Sequence, residues 1–291
     1  MTTAAASPRP RRLGERHQPA AYLFIAPAFA VITLFRLVSM GISLYVSLHD
    51  WDVVAGPGRY VGAGNYVRAL TDHGSVFWLA LRNTVLYVVM TVIGVLGTSL
   101  PLALLCRKAR HGQTLFRILY FLPSITPMVV ISLVWIWLLQ SWSTLMDRPQ
   151  TALLSIALVE VWQASGYNML LFLAGLNDIP QEYYDAARVD GASRVQEFRH
   201  ITLPLLRNTL VFVTVMLVVG SFQVFTQAYI MTNGGPQRST EVLGLQVFRN
   251  AFSYAGQMGY ASAMAWLLFA ALFAFIMIQM RVFRSRRVHD E

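Results

Sequence analysis

DIPQEYYDAARVDGASRVQEFRHITLP, residues 178–204, spells helix, glycine turn, helix and proline in the middle of an otherwise apolar chain. Asp178 stands where a side chain can cap a helix, with Gln181 three residues on, the spacing of a capping box. Gly191 interrupts as a left-handed C-terminal cap does. Ser193 and Gln196 repeat the capping spacing for a second helix. Pro204 falls where the opening turn of a following helix tolerates a missing N–H. Any loop between helices can carry caps and a glycine, so the flanks must say what the segment is.

The flanks are membrane. Of the 291 residues, 56% are apolar and only 13% charged, against about 25% charged in soluble domains. A bilayer core of about 30 Å needs about 20 apolar residues per helix. Runs of that kind lie at about 20–48, 80–105, 118–139, 151–173, 206–230 and 259–280, which predicts six spans. The first run follows basic residues, as a signal peptide would, but is about twice as long as a signal peptide's apolar core and is predicted to be retained.

Arginines sort by loop. Arg9, Arg11, Arg12 and Arg16 precede the first span, and Arg107, Lys108, Arg110 and Arg117 lie between the second and third. Arg188, Arg194, Arg199 and Arg207 lie between the fourth and fifth, and Arg281, Arg284, Arg286 and Arg287 follow the sixth. The positive-inside rule therefore places both termini, and the 178–204 segment, in the cytoplasm. A net charge of +9 distributed this way, alternating with hydrophobic spans, argues against a nucleic-acid partner.

Several chemistries are excluded. Cys106 is the only cysteine, so there is no internal disulfide and no CxxC site. The six histidines show no metal-ligand spacing, and no metal site is predicted. Lys108 is the only lysine, and no phosphate-cradling glycine loop precedes it. There is no nucleophile elbow and no zinc-binding His pair. No catalytic residues are assigned.

Asp185-Ala186-Ala187, three residues, Gly191, nine residues, Ile201, one residue, Leu203-Pro204 resembles the EAA loop of binding-protein-dependent ABC importer permeases. Every interval matches, and the one departure is Asp185 in place of Glu. The resemblance extends over roughly residues 20–281. It includes Ser47 through Asp52 and Tyr60 through Tyr66, which are similar to the first external segment of carbohydrate-importer permeases, and Met231 through Pro236, which resembles the maltose- and glycerol-phosphate-type "first" permease. It implies an all-α, polytopic fold of importer-permease topology in the bacterial inner membrane. It implies no cofactor in this chain, ATP being bound by partner subunits. The implied partners are a second permease, two ABC ATPase subunits, an extracytoplasmic solute-binding protein and membrane lipid. Asp185, Ala186, Ala187, Gly191, Ile201, Leu203 and Pro204 are implied to dock on the ATPase, in helix-in-groove fashion. The predicted division is a tail at 1–19, a permease domain at 20–281 with its coupling loop at 176–204, and a second tail at 282–291.

Polar residues inside spans are costly and point to function. Glu160, Gln163 and Tyr167 recur at helical spacing on span four, as do Gly220, Gln223 and Gln227 on span five. Trp162, Asn168, Phe222 and Thr226 lie close by. Amides, a carboxylate and aromatic rings together suit a sugar, which offers hydroxyls and apolar C–H faces. The same polar groups can instead bond one helix to another. Arg36 and Glu160 are the basic and acidic residues well inside spans, and each needs a counter-charge or water. They complete the predicted pathway. Small residues Gly259, Ala261, Ala263 and Ala265 predict close helix packing in span six. A self-sufficient channel or secondary transporter is the alternative, and it would lack the EAA loop. The solute is not legible.

Overall fold

A computed structural model describes residues 19–71, 76–108, 112–142, 144–254 and 256–285, and the predicted basic tails fall almost wholly outside them. The chain is mostly helical and forms two units, 1–45 and 46–291.

In the first unit, α1 (Pro19–Ile32) runs through a π-helical stretch, Thr33–Val38, into α2 (Ser39–Ser47). Its side chains from Phe24 to Met40 are exposed on every face, with Phe24, Phe29 and Phe35 among them. A helix apolar all round is stable only against lipid or another helix.

Early in the second unit the chain departs from helix, in a hairpin of β1 (His49–Asp52) and β2 (Gly56–Tyr60). The strands are antiparallel, with His49 opposite Tyr60 and Asp52 opposite Gly56. Gly56-Pro57-Gly58 lies in β2, and the chain reverses at Val53–Ala55. The Asp52 carboxylate makes that reversal. Its Oδ1 accepts from Val54 N at 2.6 Å and Ala55 N at 2.9 Å. These backbone donors, Ala55 foremost, hold the Asp52 carboxyl below its usual pKa.

Next come α3 (Gly64–Thr71), α4 (Phe77–Lys108), α5 (Gln113–Ile125), α6 (Met128–Trp142) and α7 (Pro149–Asn177). The pair α4 and α7 forms the centre of the unit. Val95, Ala103 and Cys106 of α4 pack with Val161, Met169 and Phe172 of α7. Glycine makes the approach possible: a Cβ on Gly94 would come within 2.5 Å of Val161. One turn on, Thr98 Oγ1 and Ser165 Oγ hydrogen-bond at 2.5 Å. The backbone of α5 crosses close enough that any side chain at Gly166 would collide with the Tyr120 carbonyl.

Beyond α7 lie α8 (Gln181–Val189), α9 (Arg194–Glu197), a π-helical stretch Phe198–Thr202, α10 (Leu203–Leu205) and α11 (Arg207–Phe222). After another π-helical stretch, Ala228–Thr232, follow α12 (Leu243–Phe248) and α13 (Met258–Ser285). Gly259 packs against a backbone other than that of a helix, since its Cβ would meet the His49 carbonyl of β1. Ala261 and Ala263 are buried as expected of small packing residues.

Among the described residues, four helical segments are long and apolar enough to cross a membrane: Phe24–Ser47, Phe77–Lys108, Pro149–Asn177 and Met258–Arg281. The expected third span is two helices, Gln113–Ile125 and Met128–Leu139, meeting at 97°. The cause is local. Pro127 forces Thr126 out of helical geometry to ψ 130, and Thr126 N turns back to Pro123 O at 3.2 Å. The helical run Arg194–Leu205 likewise meets Arg207–Phe222 at 67°. Pro204 therefore stands in the opening turn of the short α10, before the bend at Leu206, instead of opening α11. The expected fifth span is also interrupted: α11 stops at Phe222, and Gln223–Phe225 are not helical.

Candidate functional site

The polar segment 178–204 folds as two short helices joined by a glycine turn. Its first cap differs from expectation. Asp178 belongs to the end of α7, and Pro180 takes the capping position of α8 without a side-chain bond. The remaining signals hold. Gly191 adopts φ +76. Ala192 N donates to Ala187 O at 2.9 Å and Gly191 N to Arg188 O at 3.1 Å, the paired bonds of a Schellman cap. Ser193 and Gln196 form a complete capping box, Ser193 N donating to Gln196 Oε1 at 2.7 Å.

Two sets of contacts fix the helices to each other. Arg188 reaches Asp185 at 3.3 Å on its own helix and Glu197 at 3.2 Å on the next. Arg188 and Asp185 are more than half exposed, and exposed ion pairs contribute about 0–1 kcal/mol. The buried set matters more. Tyr184, 7% exposed, bonds its hydroxyl to Thr202 Oγ1 at 3.0 Å. Arg107, at the end of α4, lies 5.0 Å over the Tyr184 ring and donates to its hydroxyl at 3.3 Å. Tyr184, Thr202 and Arg107 were not legible as site residues, because the bonds that join them cross 18 and 77 positions of sequence.

What the pair presents outward is polar and apolar by turns. Asp185, Ala186 and Gly191 are exposed and Ala187 half-exposed. Val189 is 88% exposed and Val195 74%. Ile201 is partly buried, and Leu203 and Pro204 are exposed. Short helices anchored to the spans through Tyr184, with Val189 and Val195 turned outward, form a surface that a groove can take up.

The predicted pathway residues divide into three groups. Gln227 is 6% exposed, and its Nε2 donates to Glu160 Oε2 at 2.6 Å and to the Tyr87 hydroxyl at 3.2 Å. One amide thus ties α4, α7 and the chain after α11. Tyr87, which sequence reasoning missed, is buried there. Asn168 is buried and bonds its own helix at Ala164 O. Phe222 is buried between Val88 and Val218, its ring 5.7 Å from Phe275. Burial takes these three out of contact with any solute in this conformation.

Glu160, Gln163 and Thr226 are half-buried, and Gln163 Nε2 donates to Thr126 O at 3.3 Å. That bond satisfies a carbonyl released where α5 breaks from α6, a requirement wherever helical backbone is interrupted in a membrane. Trp162, Tyr167 and Gln223 are exposed, Trp162 lying edge-on to Trp135 at 5.7 Å. Arg36 is exposed within the first unit. Glu160, Gln163 and Tyr167 do share the continuous helix α7, whereas Gly220 and Gln227 are separated by the break at Gln223–Phe225.

A further polar cluster escaped the sequence reading. Glu241, 2% exposed, holds Arg249 through both carboxylate oxygens at 2.7 and 2.8 Å. Arg249 in turn donates to Asn233 O and Oδ1. This network fixes the turn at Asn233–Gly234, where both residues have positive φ.

Comparison with known proteins gives a consistent result. A family described as "Binding-protein-dependent transport system inner membrane component" matches residues 77–289. "Probable ABC transporter permease protein YurN" of Bacillus subtilis is 34% identical over 283 residues, covering 91% of this chain and 96% of YurN. "Trehalose/maltose transport system permease protein MalF" of Thermococcus litoralis is 30% identical, covering 95% and 97% respectively. Among solved structures, a chain of a bacterial alginate ABC transporter, in complex with alginate pentasaccharide-bound periplasmic protein, superposes with a TM-score of 0.76 at 18% identity. It covers 92% of this chain and 94% of that one.

Proposed function

The chain belongs to the family of binding-protein-dependent transport system inner membrane components, and from that premise we propose its topology, its partners and its class of solute. It is a membrane permease and not an enzyme. The proposed solute is a sugar or related solute. The relative from Thermococcus litoralis, named for trehalose and maltose, supports that class, as does the mixture of amide, carboxylate and indole along α7.

Six spans are proposed, with each bent or interrupted helix counted once. The permease domain comprises residues 20–281, between two cytoplasmic tails, and its coupling loop is 176–204. The arginine distribution supports cytoplasmic termini. A single-cysteine test reads this orientation, starting from Cys106→Ala to remove the buried native thiol. In intact cells a membrane-impermeant maleimide is expected to label Arg59→Cys on β2 and to leave Arg199→Cys unlabelled until the cells are permeabilised. The reverse pattern would invert the topology.

The observation that carries the mechanism is the exposed, doubly capped helix pair at 181–205. On this reading it docks on an ABC ATPase through Asp185, Ala186, Ala187, Gly191, Ile201, Leu203 and Pro204. A second permease completes the pathway, and a binding protein delivers solute from outside. ATP held by the two ATPase subunits stabilises one of two access states more than the other, which moves the equilibrium between them. Trp162, Tyr167 and Gln223, with the half-buried Glu160, Gln163 and Thr226, then face the solute. Buried Asn168, Phe222 and Gln227 position them. Reconstitution with the second permease, the ATPase and the binding protein tests the whole. Sugar-loaded binding protein is expected to stimulate ATP hydrolysis severalfold. Transport by this chain alone, without ATP, would establish a self-sufficient channel or secondary transporter instead.

A further inference from the structure

A cleft of about 870 Å³ opens between the last turns of α4 and the capped helix pair. Its two ends differ in chemistry. Pro101, Leu104 and Leu105 of α4 line one end, and Leu105 is 59% exposed. Arg107, Lys108, Arg188 and Arg194 line the other. Pro101 and Lys108 lie about 10 Å apart along α4 at 1.5 Å per residue, so the change from apolar to cationic occurs over the thickness of a headgroup layer.

Among the described residues the cleft's charges are not balanced. Glu197 is the one carboxylate lining the cleft, and Arg188 already holds it at 3.2 Å. Arg107 is committed to Tyr184. The side chains of Lys108 and Arg194 make no hydrogen bond or ion pair among the described residues, and both are exposed. Two cations without a partner among the described residues therefore sit at the rim of a cleft whose floor is hydrocarbon, where a span ends on the basic side of the protein.

We propose that this cleft binds an anionic phospholipid of the inner leaflet. The phosphate sits against Lys108 and Arg194, and an acyl chain runs along Pro101, Leu104 and Leu105. The assignment rests on the cytoplasmic placement of the helix pair proposed above. Basic pockets beside spans on that face suit acidic headgroups, each Lys or Arg near the surface adding to the attraction, while the burial of methylenes adds a hydrophobic share that free phosphate lacks. Such a lipid would fill the space between α4 and the coupling helices and steady the pair without any contact to the ATPase.

Native mass spectrometry of the full chain in detergent tests this, with added phosphatidylglycerol, phosphatidylcholine of the same acyl chains, or inorganic phosphate. The parent is expected to retain phosphatidylglycerol preferentially. Lys108→Gln with Arg194→Gln should weaken that retention roughly tenfold, while the charge-matched pair Arg59→Gln with Arg281→Gln leaves it unchanged. Equal retention by parent and the Lys108/Arg194 variant would overturn the proposal, as would equal loss in the charge-matched pair. Displacement of the lipid by millimolar inorganic phosphate would reduce the site to one for free anions and overturn the lipid assignment. A failure of the coupling reading would show instead as loss of ATPase co-purification, and a failure of the topology as inverted maleimide labelling, neither of which this measurement reads.

Discussion

Gly191→Leu is expected to lower solute-driven ATP hydrolysis and uptake at least tenfold while the amount of chain in the membrane stays within about twofold. The argument is conformational. A Cβ at Gly191 meets no heavy atom within 4 Å, so the substitution collides with nothing. The penalty comes from φ +76, a left-handed conformation that costs a residue with a side chain about 1–2 kcal/mol. The chain escapes the strain by unwinding Asp190–Ala192, which gives up the bonds Ala192 N to Ala187 O and Gly191 N to Arg188 O. The directions of α8 and α9 then cease to be fixed, and with them the buried Tyr184–Thr202 bond. The spans are untouched, so insertion persists. Gly191→Asn supplies the control, because Asn tolerates the left-handed region and is expected to keep most activity. Parent-rate transport by the Leu variant would remove the docking assignment. An Asn variant as inactive as Leu would mean that side-chain bulk on the docking face, not backbone geometry, is what the partner rejects.

Asp185→Arg separates docking from stability at the same site. Its ion pair to Arg188 is exposed and contributes about 0–1 kcal/mol, so the loop should remain folded. A reversed charge on a docking face acts instead on the partner, where juxtaposed like charges cost several kcal/mol. Loss of ATPase co-purification with unchanged thermal stability is the expected pair of results, and retained co-purification would place Asp185 outside the interface.

The helix, glycine turn and helix at 181–205 were legible because their determinants are local. A glycine at C′, a Ser-x-x-Gln box and their spacing depend on neighbours within five residues, and these held. Asp178 misled because the competition for it is not local. Helix α7 runs to Asn177, held by long-range packing of Phe172 and Leu176, so Asp178 is spent on ending that helix. Hydropathy was blind in the opposite way. Residues 118–139 are continuously apolar, yet Pro123 and Pro127 four residues apart suffice to break them at Thr126. The rule for residues preceding proline carries that signal, and an apolar window averages it away. The polar contacts of α7 were half legible. Helical spacing found Glu160, Gln163 and Gln227, but only the fold shows that one amide is spent on the Thr126 carbonyl and the other on Glu160 and Tyr87.

That division of labour decides what Glu160 does, and substitution there is expected to have the second large effect. Gln227 Nε2 has two hydrogens, and both are used, one on Glu160 and one on Tyr87. Glu160→Leu removes an acceptor from a buried donor, which costs about 1–3 kcal/mol, so thermal stability and maximal uptake should both fall. Loss of uptake by this variant alone would be ambiguous between brace and pathway. Glu160→Gln resolves it. The amide keeps a carbonyl oxygen for Gln227 and nearly the same volume, so assembly and stability should stay close to the parent. What it removes is the capacity for charge-assisted bonds, which are roughly twice as strong as neutral ones, to sugar hydroxyls crossing the half-buried face of α7. Maximal uptake by Glu160→Gln should therefore fall about tenfold with basal ATP hydrolysis unchanged. Affinity measured at the binding protein should not move, because that subunit captures the solute before it reaches α7. If Glu160→Gln transports at the parent rate, the carboxylate is a brace between α7 and the chain after α11, and the solute must pass along Trp162, Tyr167 and Gln223 without it.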